Sequence, residues 1–498
     1  MQVKNKGVLT KSKLKQNQQC SKLLYFQTNH PELKESSSKD QTVFKVGREV
    51  EQLVRDKFKD YRLVDAFKNS DKVTQTENFI KDGAKAIAEA SFFAREVHIQ
   101  IDMLEHIEGD VYDAHEVKSS SKEKDEYLED IAIQFWTVYH SNKIKIRNYY
   151  LWHINKNGTK ENIFQKVDVT EKIMQMNGVY EDLRTSAIET YNATTIPDVK
   201  IGRQCANPYN CPFRSQCWKH IDENPMHVLN LPYNKQKWDL FNSGVELVSD
   251  EKIKPELFPN PKIIEAIKNK TLWIDKQKVL ETIESWPKPL HFLDYESVIH
   301  YLPLFEGTRP YQNVVVQFSY HKMDSLDQNP LTALHESFLH EDYSSPLKPL
   351  ADKMIATLGE VGAIVTYNKT FEISRTKEVA EALGGEYKEK LLKICDRFVD
   401  IMDVIKDHVY HPEFVGSYSL KQVSPTLLGV ENGGYTDSLI KSGSEITQYY
   451  FEFLNTKDDL RKQTIKQALL KYCGYDTLNM ILLMQWLIQK CKETEAAA

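Results

Sequence analysis

Two short β-rich runs, His98–Glu105 and Val111–Ser119, flank Glu108-Gly109-Asp110 and predict a hairpin. The next run, about Lys124 to His140, sets Ile131, Phe135 and Val138 on one face at helical spacing. It predicts a long amphipathic helix, and Lys143–His153 then reads as strand. Upstream, the chain opens with helical pattern, has a loop around Ser36–Asp40 and continues as helix from Gly47. Residues 223–288 hold several prolines, among them Pro259-Asn260-Pro261, and short helical pieces, which predicts a connector able to pack on either neighbour. Strand pattern returns at His291–Asp294, Val314–His321 and Gly362–Tyr367, alternating with helical runs, and a long helix is expected over about Asp458–Lys490. The expected class is α/β, with a first domain over 1–222 and a second over 289–498.

Length agrees with more than one core, since 498 residues exceed what a single domain usually holds. The chain is 41% hydrophobic and 27% charged, which excludes a disordered protein. Its longest apolar stretch, Met480–Ile488, is interrupted by Gln485 and is too short to span a bilayer, so no membrane partner is expected. Met1–Lys15 lacks the apolar segment of a signal peptide, and a cytoplasmic location is expected. That stretch carries Lys4, Lys6, Lys11, Lys13 and Lys15 without an acid. A solvated, frayed start is the expectation, with a phosphate-contacting arm as the rival. A net charge of −6 argues against a protein that coats nucleic acid by bulk charge, although a nuclease with a local basic groove stays open.

Candidate chemistry begins at the hairpin. Asp102 lies on one strand, and Glu116 and Lys118 share a face of the other because side chains alternate with period two. Two carboxylates and a lysine suit phosphodiester hydrolysis: Asp102 and Glu116 would hold Mg²⁺ or Mn²⁺ through hard oxygen ligands. Such an ion lowers the pKa of water and polarises phosphate. Lys118 would position that water or offset charge in the transition state. An acid-x-lysine pair alone is common as a surface ion pair. Gln134, on the helix that follows, is expected to face the same region.

Seven cysteines without a secretory signal do not suggest disulfides. Cys395, Cys473 and Cys491 are scattered and read as ordinary buried residues. Cys205, Cys211 and Cys217 are clustered, and with the distant Cys20 they supply four thiolates for an iron–sulfur cluster or for a structural zinc ion. Either would clamp the two ends of the first domain together.

From Lys11 to about Trp218 these features resemble the RecB-like branch of the PD-(D/E)xK nucleases, and in particular the CRISPR-associated exonucleases that carry a 4Fe–4S cluster. The resemblance rests on Cys20 followed by Leu23-Leu24-Tyr25-Phe26, on Gly47, on Asp102 with Glu116-x-Lys118, on Gln134 and on the three late cysteines. It implies a restriction-endonuclease-like fold. In that family a metal-ligating histidine commonly stands four places after the glycine; Glu51 holds the place here and is the expected metal ligand. The late cysteines are also spaced more widely than in the family.

A second set of acids follows. Asp294 and Glu296 share one strand face, and Tyr472 and Asp476 stand at i and i+4 on the long helix. Between them lie Glu372, in Asn368-Lys369-Thr370-Phe371-Glu372, and Asp400 and Asp403. A two-metal site needs about four carboxylates. Asp294, Glu296 and Asp476 supply three as metal ligands, Glu372 and Asp400 compete for the fourth, and Tyr472 would orient the attacking water. Residues 289–490 resemble the DEDD exonucleases of the ribonuclease H-like fold, in the form with a tyrosine before the last aspartate. Glu372 stands where that family usually has aspartate, and Ser419-Leu420-Lys421 follows at a similar distance to theirs.

The order of the two halves resembles an uncharacterised bacterial family that fuses the same modules. Together the resemblances imply a metal-dependent DNA exonuclease acting on single strands or ends, with RNA as an alternative substrate. A different class also fits: a nucleic-acid-binding subunit of a repair or phage-defence complex, with one or both sites inactive.

Overall fold

Val97–Glu108 (β4) and Val111–Lys118 (β5) form the hairpin, closed by Gly109 at φ +54° and Asp110. In the computed structural model, which describes residues 8–35, 38–176, 180–429 and 439–493, this hairpin lies inside a seven-stranded mixed sheet. Its other strands are Leu9–Thr10 (β1), Tyr61–Leu63 (β2), Ala86–Ala94 (β3), Lys145–Ile154 (β6) and Phe164–Asp168 (β7). The order is β2-β3-β4-β5-β6-β7, with β1 beside β4. β3/β4, β4/β5 and β6/β7 run antiparallel, and β5/β6 run parallel.

Helix Asp125–Ser141 packs on β3 and β4 and buries Ile131, Ile133, Trp136 and Val138 at 5% exposure or less. Burying each such side chain stabilises by roughly 1.5–3 kcal/mol, enough to fix which face of the helix meets the sheet. The other large helix of this unit, Ser38–Arg55, starts before Gly47 and carries it in its interior. The chain divides into two compact units, the first comprising Met1–Lys219 with Tyr301–Pro303 and Arg309–Tyr311.

The second unit is built on a five-stranded sheet of Leu290–Val298 (β9), Val314–Met323 (β10), Leu334–Leu339 (β11), Ala363–Thr366 (β12) and Phe398–Asp400 (β13). Its order is β11-β10-β9-β12-β13. The first three strands form an antiparallel meander, and β12 and β13 run parallel to β9. A separate ribbon pairs Trp273–Ile274 (β8) with Val409–Tyr410 (β14). The helix expected near 458–490 spans Asp459–Lys492, begun by Asp458, whose carboxylate accepts the N–H groups of Leu460 and Arg461.

Residues 223–288, expected as a connector, are part of this second unit. Ile263, Ile264 and Ile267 of helix Pro261–Asn269 and Val279 and Ile283 of helix Lys276–Ser285 are at most 3% exposed. They share one core with Met480, Leu483, Met484 and Leu487 of the C-terminal helix. Two of the prolines lie at helix starts, Pro255 opening the 3-10 turn Pro255–Leu257 and Pro261 at the first helical position after the Asn260 cap. Both units are α/β with mixed sheets, and among the described residues no helix is long and apolar enough to cross a membrane.

Candidate functional site

In the first unit Met103 pairs with His115, so Asp102 and Glu116, each one position further from the turn, stand side by side on β4 and β5. Asp102 Oδ2 accepts the main-chain N–H of Val117 at 2.7 Å. Glu116 is 3% exposed. Its Oε1 accepts from Lys118 Nζ at 2.7 Å, and its Oε2 from Gln134 Nε2 at 2.6 Å. Lys118 also reaches Asp130 at 2.9 Å. Asp130 and Gln134 are four residues apart on helix Asp125–Ser141, so one helix face serves both strand residues.

Electrostatics separate the two acids. Burial and the neighbouring charge of Glu116 raise Asp102 well above the usual carboxylate range. Burial also opposes ionisation of Glu116, yet Lys11 and Lys118 outweigh it and hold that carboxyl at about 2. Lys118 is raised well above the usual value: burial works against its charge, but Glu116 and Asp130 prevail.

Lys11, Lys13 and Lys15 are tied into the fold rather than frayed. Lys11 Nζ donates to Glu116 Oε1 at 3.0 Å. Lys13 Nζ bonds Val8 O and the Tyr191 hydroxyl and lies over the Tyr191 ring, and Lys15 pairs with Glu129. Pairing of β1 with β4 (Leu9 opposite Val97) carries the following helix, Lys11–Gln19, to the site. Lys4 and Lys6 lie outside the described residues.

Glu51 is half-buried and close enough to Asp102 and Glu116 to interact with both. Burial, then the charge of Glu89, raise its pKa. Arg55 pairs with Glu89 and lies 3.6 Å from Glu51. Glu89 was not expected at the site. It sits on β3 at φ +56°, left out of a ladder whose neighbouring pairs are Ala88–Met103 and Ala90–Ile101, so it stands opposite Asp102. A non-glycine residue there is strained, and strain of this kind concentrates at functional sites. Glu51 raises Asp102 and is itself raised by Glu89, so a cation beside Glu51 would relieve both repulsions.

The four cysteines of the first unit come together. Cys20 breaks the chain between helices Lys11–Gln19 and Ser21–Asn29, Cys205 ends a single turn, and Cys217 lies in helix Arg214–Asp222. The Cys211 N–H donates to Cys205 O at 2.9 Å. All four border one cavity, are half-buried and carry free thiols. Burial pushes the Cys211 thiol up to about 11, and the nearby Cys205, Cys20 and Cys217 add to the shift. Leu23, Phe26 and Phe213 also line the cavity, as do Lys22 and Arg214. Gln19 Nε2 donates to Gln204 O and Tyr209 O, tying the N-terminal helices to the cysteine loop independently of any metal.

In the second unit Asp294 and Glu296 share a face of β9, the central strand, opposite Ser319 and Gln317 of β10. Tyr472, Cys473 and Asp476 come from helix Asp459–Lys492. Gln317 Nε2 donates to Leu469 O at 2.7 Å, and Thr477 Oγ1 lies 2.8 Å from both Ser319 Oγ and His321 Nδ1. These bonds fix the helix's rotation against β10. Burial and the charges of Asp476, Glu296 and Glu372 raise Asp294 well above its usual value. Burial and Asp476 do the same to Glu296. Burial, then Asp476, Glu296 and Asp294, raise the Tyr472 hydroxyl, and Lys421 Nζ lies 4.9 Å from the Tyr472 ring centre.

The two middle acids have different positions. Glu372, in the first turn of helix Lys369–Leu383, is 3% exposed, and its Oε2 is buried without a hydrogen-bond partner among the described residues. Burial raises its carboxyl to about 8, and it faces Asp294 and Glu296 electrostatically. Asp400 is instead a capping residue. Its Oδ1 accepts from Asn368 N and Met402 N at 3.0 and 2.9 Å, and its Oδ2 from Lys369 N at 2.8 Å. Three main-chain donors leave it little capacity as a ligand, and Asp403 is paired with Lys369 at 2.8 Å.

Cys473, expected as an ordinary buried residue, is indeed fully buried, but its sulfur lies 3.5 Å from both Asp294 O and Asp294 Oδ2. One ligand atom each from Asp294, Glu296 and Cys473 fall within 4.8 Å of one another, a grouping able to hold a metal ion. Only its place in Tyr472-Cys473, one position from an expected site residue, could have signalled this.

A family described as a domain of unknown function (DUF2779) matches residues 291–419, a stretch that holds Asp294, Glu296, Glu372 and Asp400 and ends before Tyr472. An uncharacterised protein of Ureaplasma parvum serovar 3 is 28% identical over 216 residues, which cover 40% of this chain and 31% of that protein. Among solved structures, the family B DNA polymerase from the hyperthermophilic archaeon Pyrobaculum calidifontis aligns at 17% identity with a TM-score of 0.26, over 42% of this chain and 27% of the polymerase. The chain therefore matches less than a third of the length of either protein.

Proposed function

We propose that this chain is a metal-dependent DNA exonuclease with two hydrolytic centres, acting on single strands or free ends. The observation that carries the reading is in the second unit. Asp294, Glu296, Glu372 and Asp476, contributed by three separate elements, crowd so closely that burial and mutual repulsion raise Asp294 and Glu296 well above the normal carboxylate range. Buried like charges are costly unless protons or cations neutralise them. The donor set is mainly carboxylate oxygen, which suits Mg²⁺ or Mn²⁺. The antiparallel meander continued by two parallel strands supports a ribonuclease H-like reading, with the first acids on the central strand and the last on a helix packed against it.

The first centre supports the RecB-like reading through the Asp102–Glu116 pair, Lys118 and Gln134. Here lysines already balance much of the charge, so fewer cations are needed. Metal ions held at either centre would supply charge that polarises the phosphodiester. Lys118 holds Glu116 ionised and places an ammonium where the phosphate becomes more negative. In the second centre the Tyr472 hydroxyl is positioned one helical turn from Asp476 to orient a water. Four thiols around one partly apolar cavity fit a 4Fe–4S cluster, and the same ligand set fits zinc. Its role is structural, holding the N-terminal helices to Cys205–Cys217 at the end of the 1–222 domain.

End-labelled single- and double-stranded DNA with Mn²⁺ tests the reading. Loss of cutting in Asp102→Ala/Glu116→Ala alone assigns activity to the first centre, and loss in Asp294→Ala/Glu296→Ala alone assigns it to the second. A wild-type protein that binds DNA but cuts neither DNA nor RNA with any divalent metal would replace the nuclease reading with a binding role. Visible charge-transfer absorbance identifies iron–sulfur, and a colourless protein with stoichiometric zinc identifies the alternative.

A further inference from the structure

We propose that Asp294, Glu296 and Cys473 form a mixed sulfur–oxygen position in the second centre that captures a thiophilic divalent cation of the Zn²⁺ or Cd²⁺ class and thereby stops the reaction there. This rests on the reading of that centre as a metal site. It adds that one ligand is a thiolate.

The geometry is specific. The Cys473 sulfur is fully buried and 3.5 Å from Asp294 Oδ2, and it shares a 4.8 Å grouping with carboxylate oxygens of Asp294 and Glu296. An ion about 2.3 Å from sulfur and about 2.0–2.2 Å from oxygen can touch all three after small side-chain adjustments. A second, independent feature points to the same place. Glu372 Oε2, from a residue 3% exposed, has no hydrogen-bond partner among the described residues, and Glu372 interacts electrostatically with both acids. The helix carrying Cys473 is held against β10 through Leu469 and Thr477, so the sulfur is positioned before any ion arrives.

Ligand softness decides the selectivity. Mg²⁺ prefers oxygen and gains little from sulfur, whereas Zn²⁺ and Cd²⁺ gain strongly from a thiolate. On binding, the Cys473 S–H bond breaks, its proton leaves to solvent and a sulfur–metal bond forms, with no change of oxidation state. The captured ion occupies the oxygens that a catalytic ion requires.

The test uses the full-length protein with its four-cysteine site filled. Tight Cd²⁺ sites are counted against a chromophoric chelator, and cadmium–thiolate charge-transfer absorbance is recorded, for wild type, Cys473→Ser and Asp294→Asn/Glu296→Gln. Wild type should bind one more ion than either variant and show extra thiolate absorbance. Equal stoichiometry and absorbance in wild type and Cys473→Ser overturn the proposal. Thermal melts of each variant establish that it is folded, and Cys473→Ala provides a second truncation if the serine variant is not. In cutting assays normalised to each variant's own Mn²⁺ rate, the zinc concentration for half-inhibition should rise by about tenfold or more in Cys473→Ser. An unchanged value overturns the inhibitory role. If no form cuts DNA, the nuclease reading fails while the cadmium count still decides the metal position.

Discussion

Lys11 and Glu116 are joined Nζ to Oε1 at 3.0 Å, although Lys11 starts the first helix and Glu116 lies deep in the sheet. Lys118 reaches the same oxygen at 2.7 Å. Glu116 therefore has two cations on one oxygen and the Gln134 amide on the other. Removing Lys11 leaves a buried carboxylate with less compensation. Lys11→Ala should destabilise the metal-free protein by about 2 kcal/mol, below the cost of fully breaking a buried pair because Lys118 remains. Mg²⁺ should restore part of this loss, as read from urea unfolding with and without the ion.

Metal removal should act most strongly on the second centre. Burial raises Glu372 from 4.5 to about 8. For an acid raised in the folded state, the unfolded chain releases its proton first as pH rises, so stability falls between pH 4.5 and 8. Glu372→Gln should therefore melt higher than wild type at pH 8 in chelator, by an amount equivalent to roughly 1–3 kcal/mol, and converge with it near pH 4.5. The stabilisation by added Mn²⁺ should shrink in the variant. A wild-type melting curve insensitive to both pH and chelator would count against a cation requirement.

Histidines set a separate acid limit. Burial holds His98, His291 and His321 at about 4, with nearby Lys72, Arg397 and His335 respectively adding to the effect. Burial and Lys166 hold His115 at about 3. These are depressed bases: the unfolded chain takes up protons below 6.5 while the folded one does not. Their contribution is complete above pH 6.5 and is lost as pH falls toward 4, by up to about 3 kcal/mol for a single group. Chemical unfolding across pH 4–7 should show this slope, and His291→Gln should reduce it.

Thr477 connects the C-terminal helix to Ser319 and His321. Thr477→Val keeps the shape and removes the hydroxyl, leaving two buried polar groups short of a partner. The expected cost is about 1–3 kcal/mol, with weaker Mn²⁺ binding at the second centre because Tyr472, Cys473 and Asp476 lose their fixed rotation. A double-mutant cycle with Ser319→Ala, followed by denaturation and Mn²⁺ titration, measures the coupling. Full additivity in both readouts would remove Thr477 from its positioning role.

Local pattern made the hairpin, the helix over it and the long C-terminal helix legible, because each depends on periodicity and caps within a single stretch of chain. It also brought Asp102, Glu116 and Lys118 to notice, and Tyr472 with Asp476, since i+2 on a strand and i+4 on a helix share a face. β3 escaped notice: Ala86–Ala94 is alanine-rich and buried on both faces, so it shows no alternation and becomes a strand only by pairing with β4.

Tertiary structure alone decided the partners. β1 pairing delivered Lys11 to Glu116, a left-handed residue at Glu89 interrupted β3 opposite Asp102, and the tethered helix put the Cys473 sulfur beside Asp294. It also converted Asp400 from a candidate ligand into a cap and folded 223–288 into a core. Periodicity tells which face a residue occupies, but not what that face meets. That choice belongs to long-range packing, where burial and charge compensation are settled across the whole unit.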